Sequence, residues 1–222
     1  MHRVQKILLH RLLKKNKQKY STLTSGYTYD DNVLFHLKQL INNDCVEKKD
    51  GFYYITAGGV KRITCFDLSN LEDTGFKTFF FGFIALSEGE YLLKAHLTEA
   101  SNFYNLPSGK PRFGETVNSA LTRSFFENTG LELDSESFSF ISLHLKTVKT
   151  SKGDTLFDDA FAIYVVNISE SQKKAMNLEK NIRWFTLEEI NTLENTWPEV
   201  NICIVQKDHT GYMTYEFVSE YV

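Results

Sequence analysis

Proline is nearly absent from this chain, with three residues in 222. The composition is 42% hydrophobic and 24% charged, which together with the missing proline excludes long disordered tracts. Long apolar runs are absent too. The longest, residues 79–86, is strand-sized and broken by Gly82, far short of the roughly 20 residues that cross a bilayer. The N-terminus MHRVQKILLHRLLKK lacks the continuous apolar stretch and small-residue cleavage site of a secretion signal. A cytoplasmic protein with no membrane partner is expected. Cys45, Cys65 and Cys203 form no CxxC pair. Neither a zinc site nor a disulfide framework is signalled, and three reduced, mostly buried thiols are expected. The six histidines show no HxxxH or HExxH spacing, so none is assigned to a metal.

What is abundant is aromatic: 18 Phe and 11 Tyr, which suits a β-rich core. Charge is abundant but segregated. Residues 1–66 hold 12 Lys and Arg against 5 Asp and Glu, a net of +7, and the remainder carries −10. Such asymmetry implies two units, the basic one facing nucleic acid.

In the basic part, Val4, Ile7, Leu8 and Leu12 recur at helical spacing and predict a helix over 3–19. Leu34, Leu37, Leu40 and Ile41 predict a second over 30–42, with Asp30 and Asp31 in its first turn. Residues 45–47 and 52–55 read as strands around a turn at Lys48-Lys49-Asp50-Gly51, Asp-Gly being a strong hairpin signal. Thr56 then caps a helix ending near Ile63. The stretch NVLFHLKQLINNDCVEKKDGFYYITAGG resembles the recognition helix and wing of bacterial and archaeal winged-helix regulators. That resemblance implies duplex DNA as a partner. Asn32, His36, Lys38 and Gln39 would meet base edges, and Lys48 and Lys49 phosphates. The competing reading is a protein-contact module.

Residues 71–77 are taken as a linker between domains at 1–70 and 78–222. Beyond it, strands are predicted at 79–86, 91–95, 138–145, 157–166 and 181–185. Helices are predicted at 116–129 and 187–193, and a last hairpin joins 202–206 to 212–218 around His209-Thr210-Gly211.

Residues 109–131, GKPRFGETVNSALTRSFFENTGL, carry the chemistry. They resemble the Nudix box: G, five residues, E, seven residues, then R-E-U-x-E-E-x-G-U, where U is bulky and apolar. Gly109, Glu115, Arg123, Phe125, Glu127, Gly130 and Leu131 match at full spacing. The segment Arg183-Trp184-Phe185-Thr186-Leu187 is also of a kind that commonly closes such domains, so the resemblance covers about residues 78–195. The implied fold class is α+β: a winged helix-turn-helix followed by a Nudix-fold α/β/α sandwich with a mixed sheet.

The resemblance also implies a mechanism. Positions i, i+3 and i+4 of a helix share one face, where three family carboxylates hold Mg²⁺ or Mn²⁺ on a diphosphate. Here that face reads Ser124, Glu127, Asn128. Glu127 and Glu115 remain as catalytic and metal-binding candidates, Arg123 orients an acidic neighbour, and Gly109, Arg112 and Gly114 contact ligand. Asp158, with Asp154 or Asp159, is the candidate for an acid supplied later in the chain. Lys146, Lys149 and Lys152 read as a solvated strand end. With two charges lost, a weakly held metal and poor hydrolysis are expected. Binding of a nucleotide-like small molecule by a ligand-responsive DNA-binding regulator is then the leading reading; a homodimer is compatible with it, but the sequence shows no dimerisation helix and leaves the oligomeric state open. An active hydrolase of nucleoside diphosphate derivatives is the alternative.

Overall fold

The structure, a computed structural model, describes residues 1–71, 77–97, 102–209 and 211–219. The chain forms two compact units, Met1–Phe76 and Lys77–Val222. Most of the expected linker lies outside the described residues. Among those described, no helix is long and apolar enough to cross a membrane.

The first unit runs α1 (Arg3–Lys14), β1 (Gln18–Lys19), α2 (Tyr20–Leu23), α3 (Val33–Asn42), β2 (Val46–Lys49), β3 (Phe52–Ile55) and α4 (Ala57–Ile63). Its three strands pair in the order β1-β3-β2. This is a winged helix with a β2–β3 wing. Leu8, Leu9 and Leu12 of α1 meet Leu23, Leu37, Leu40 and Ile63 in one core. Asp50 and Gly51 both take positive φ, 52° and 77°, as a type I′ hairpin turn requires. Pairing therefore continues through Lys48 and Lys49, which were expected in the turn. Thr56 Oγ1 accepts from the Gly59 amide at 3.0 Å and caps α4.

Two elements differ from the sequence reading. The first helix stops at Lys14, five residues before the expected end. Lys17 takes φ 84°, and Gln18 Nε2 donates to the carbonyls of Arg11 (2.8 Å) and Lys15 (3.0 Å). The helix end is thus satisfied by a side chain, and Gln18 and Lys19 pair with β3 instead. The helix expected from residue 30 begins at Val33, after Asn32 at φ 50°, because Asp30 and Asp31 form a separate 3₁₀ turn. Its buried stripe is Val33, Leu37 and Leu40. Leu34, expected in that stripe, is 52% exposed beside an exposed Phe35.

The second unit contains β4 (Thr78–Ser87), β5 (Glu90–Leu97), β6 (Asn102–Asn105), β7 (Ser108–Gly109), α5 (Val117–Thr129), β8 (Ser139–Lys149) and β9 (Thr155–Asn167). Then come α6 (Glu170–Ala175), β10 (Ile182–Thr186), α7 (Leu187–Asn191), α8 (Pro198–Val200), a π-helical turn (Asn201–Val205) and β11 (Tyr212–Val218). The sheet order is β10-β5-β4-β9-β8-β11. It is mixed: β4 runs parallel to β9 and β11 parallel to β8, while β8–β9, β4–β5 and β5–β10 are antiparallel. Leu121 and Phe125 of α5 pack with Phe81 and Phe83 on one face. Ile190, Val200, Cys203 and Ile204 pack with Ile84, Leu93 and Ile163 on the other. The result is an α/β/α sandwich.

The expected C-terminal hairpin is not formed. Cys203 and Ile204 are consecutive and both buried, packed with Ile84 and Leu93. They sit in the π turn, and β11 crosses to pair in parallel with β8. Thr210, at the expected hairpin tip, lies outside the described residues.

One topological detail positions the site. Strands β4 and β5 pair only at Leu86–Tyr91 and Ser87–Glu90. Beyond that, β4 pairs with β7 and β5 with β6. The sheet therefore forks, and the start of the box emerges in the fork.

Candidate ligand site at the forked sheet

Helix α5 is set by Thr116, whose side chain accepts from the Ser119 amide, and ended by Gly130 at φ 68°. Gly114, at φ 82°, turns the preceding loop in a conformation that side-chain-bearing residues resist. An added Cβ on Gly109 would lie 1.9 Å from Ser124 Oγ. The loop therefore lies directly on the helix at Ser124, and a longer side chain there would displace it.

Arg123 holds both candidate acids. Its Nε and NH2 donate to the two oxygens of Glu115, each at 2.7 Å. Its NH1 donates to Glu127 Oε2 at 2.9 Å. Bonds from Arg123, then from the Arg112 amide, hold the Glu115 carboxyl down to about 2. The same pairing raises the Arg123 guanidinium. Arg112 NH2 donates to the other oxygen of Glu127 at 3.1 Å. Asn128 Oδ1 accepts from Lys94 Nζ at 3.0 Å, and its Nδ2 donates to the carbonyls of Ser124 and Ser108.

These residues do not fit a divalent cation. Both Glu127 oxygens face guanidiniums, and the one amide oxygen beside them faces an ammonium. A divalent ion about 4 Å from one such cation would meet roughly 8 kcal/mol of repulsion at an effective dielectric of 20. Among the described residues, no three Asp, Glu, His or Cys side chains converge as a metal-holding group. Asp158 does not join the box acids: Lys77 pairs with it and Thr147 Oγ1 donates to it at 2.9 Å. These bonds hold its carboxyl below the usual range.

The sequence reading missed the pocket in the fork. It measures about 160 Å³, near the ~150 Å³ that admits a single benzene ring in an apolar cavity. Phe80, Phe157, Phe161 and Trp197 form its walls, and Lys146, Asp159, His96, Asn105 and Ser108 its polar groups. Lys146, expected at a solvated strand end, is 3% exposed, and Glu199 is fully buried. The two form an ion pair. The Lys146 ammonium also lies 4.7 Å from the Phe161 ring centre and 4.9 Å from that of Trp197. Glu199 Oε2 has no hydrogen-bond partner among the described residues and lies buried behind the pocket wall residue Lys146. Burial raises the Asp159 carboxyl, partly offset by Lys146. Burial, then Lys94 and Lys146, lower His96. Glu199 sits one residue past the helix-starting Pro198, and no periodicity in the sequence marks it as buried. A wider groove of about 890 Å³ lies along the outer side of α5, but Glu132, Asp134 and Glu136 line it, which disfavours an anionic ligand.

In the first unit, Asn32, Lys38, Lys48 and Lys49 are exposed and Gln39 half-buried. His36 stacks on His2, ring centres 4.1 Å apart. Burial, then His2, hold its imidazole low. Lys17 and Lys19 add cations to the wing, 4.7 and 5.9 Å from the Phe52 ring. The break in α1 brings them there.

No family model and no curated protein matches this chain. Solved structures do resemble it. MutT from Bacillus halodurans is 14% identical over 65% of this chain and 92% of its own, with a TM-score of 0.49. A Nudix hydrolase family member from Chromobacterium violaceum is 21% identical over 60% and 78%, with a TM-score of 0.42. The Nudix domain of Shewanella oneidensis NrtR, solved with ADP ribose, is 10% identical over 69% and 97%, with a TM-score of 0.47. These figures describe the course of the chain and carry nothing about ligand or chemistry. On strand order and box spacing, the second unit has the Nudix fold with a box short of two helix carboxylates, and the first unit is a winged helix.

Proposed function

We propose that this chain is a ligand-responsive DNA-binding regulator. Its Nudix-fold unit binds a nucleotide or nucleoside diphosphate derivative and cleaves it weakly or not at all. One observation carries this reading: an aromatic pocket with a buried Lys146–Glu199 pair opens beside a box whose acids are engaged by arginine. The pocket suits a flat heteroaromatic ring, with Asp159 and Asn105 as hydrogen-bonding groups. Any Mg²⁺ or Mn²⁺ is held loosely, since cations already face the oxygens it would use.

The winged helix binds duplex DNA in this reading. Lys17, Lys19, Lys48 and Lys49 on the wing neutralise phosphates, Asn32 and Lys38 approach base edges, and exposed Phe35 is a contact for thymine methyls. A homodimer presents two such units to paired half-sites. Ligand regulates by binding the DNA-competent and DNA-incompetent states with different affinity.

The alternative, a metal-dependent hydrolase using Glu115 and Glu127, is favoured by the intact box spacing alone. The test is a mobility-shift series of the full chain on duplex DNA, with and without ADP-ribose and related nucleoside diphosphate derivatives. Binding that weakens about tenfold or more from low to physiological salt, and that responds to one of these compounds, is expected. Absence of binding to any duplex at low salt would remove the regulator reading.

A further inference from the structure

We infer that the forked site takes a diphosphate without a divalent ion, Lys94 and Arg112 supplying the positive charge that a metal supplies where the box is complete. This rests on the nucleotide reading of the pocket and specifies how its anionic part is held.

Three observations support it. The first is position. Lys94, on β5, donates to Asn128, at one of the two box-helix places where an acid is missing. Arg112, in the loop, donates to Glu127 on the adjoining residue. Both cations therefore border the oxygens that metal would use. Asn128 in turn donates to the carbonyl of Ser108, which lines the pocket. Lys110 extends the same rim, its ammonium 5.5 Å from the ring of the wall residue Phe80. In this inference a phosphate chain leaving a ring in the pocket runs past Ser108 to these cations.

The second is availability. The Arg112 side chain is 69% exposed and shares Glu127 with Arg123. It can turn its guanidinium to a phosphate while Arg123 keeps Glu127 paired. A guanidinium offers the paired donors that match phosphate oxygens, and an ammonium binds them as a point charge. Lys94 is less exposed, and its partners are the neutral Asn128 oxygen at 3.0 Å and Glu179 at 3.9 Å.

The third is charge. Arg112, Arg123, Lys94 and Lys110 face Glu115, Glu127 and Glu179 here. With acids at positions 124 and 128 the balance would be negative and would draw a metal. As it stands it is positive and draws an anion. No metal-bound water is then made, and the bound diphosphate survives, as a sensor requires.

The experiment is calorimetric titration of the full chain with ADP, adenosine and inorganic pyrophosphate, in excess EDTA and in millimolar Mg²⁺. ADP is expected to bind equally in both buffers, to within about twofold, and more tightly than adenosine. Arg112→Gln and Lys94→Gln are each expected to weaken ADP about tenfold, as loss of a charge-assisted hydrogen bond does, and to leave adenosine unchanged. Arg112 is exposed, so its variant reports on binding even where Lys94→Gln disturbs the fold. ADP binding that requires Mg²⁺, or that ignores both substitutions, overturns the inference and leaves the nucleotide pocket standing. Failure of all three probes in both buffers overturns both.

Discussion

Arg123 decides the character of the site because it binds two acids at once. Glu115 is held to about 2 against an ordinary 4.5. A carboxyl with a depressed value contributes stability in full above its ordinary value and loses it as pH falls through the depressed one. The thermal midpoints of the wild type and Glu115→Gln are therefore predicted to differ near neutrality and to converge between about pH 4.5 and 2. A gap that stays constant over that window would contradict the pairing. The buried Lys146–Glu199 pair makes a second prediction. Lys146→Met leaves Glu199 charged and alone in the core, at a cost of about 3–5 kcal/mol in urea denaturation. Adding Glu199→Leu is predicted to recover much of that loss. If the single substitution is neutral, the pair is not the buried contact described.

Among the elements, those set by local chemistry were legible in the sequence. Asp50-Gly51 announced the wing, Thr56 the cap of α4, and Gly109, Glu115, Arg123 and Gly130 the loop and helix of the box. The elements that were misread are those set by distant partners. Lys14 to Lys19 read as helix, yet Gln18 turns back to cap α1 and gives its backbone to β3. The Gln18→Ala variant is predicted to lose about 1–2 kcal/mol, since the Lys15 carbonyl loses its donor and the Arg11 carbonyl keeps only the Lys15 amide. An unchanged denaturation midpoint would show that solvent serves the helix end as well. The π turn at Asn201–Val205 was illegible for a similar reason. Its apolar pattern fits a strand, and only packing against Ile84 and Leu93 selects a helix. The pocket was missed because Phe80, His96, Lys146, Asp159 and Trp197 come from separate stretches of the sequence that the forked sheet gathers.

At the scale of the whole molecule, the first unit is basic and the second acidic, the asymmetry on which the proposed division between DNA and small ligand rests. Lys17 and Lys48 lie on aromatic rings of the wing, and Lys94 and Lys110 stand beside the box segment of the second unit. On the proposed reading, the Nudix-fold unit holds a diphosphate without activating a water against phosphorus. Phosphorus NMR of ADP-ribose mixed with the full chain in equal amounts, with Mn²⁺-free Mg²⁺ present, tests it most directly. The account predicts diphosphate resonances that shift on binding and persist unchanged in intensity. Conversion to monophosphates, abolished by Glu127→Gln, would contradict it.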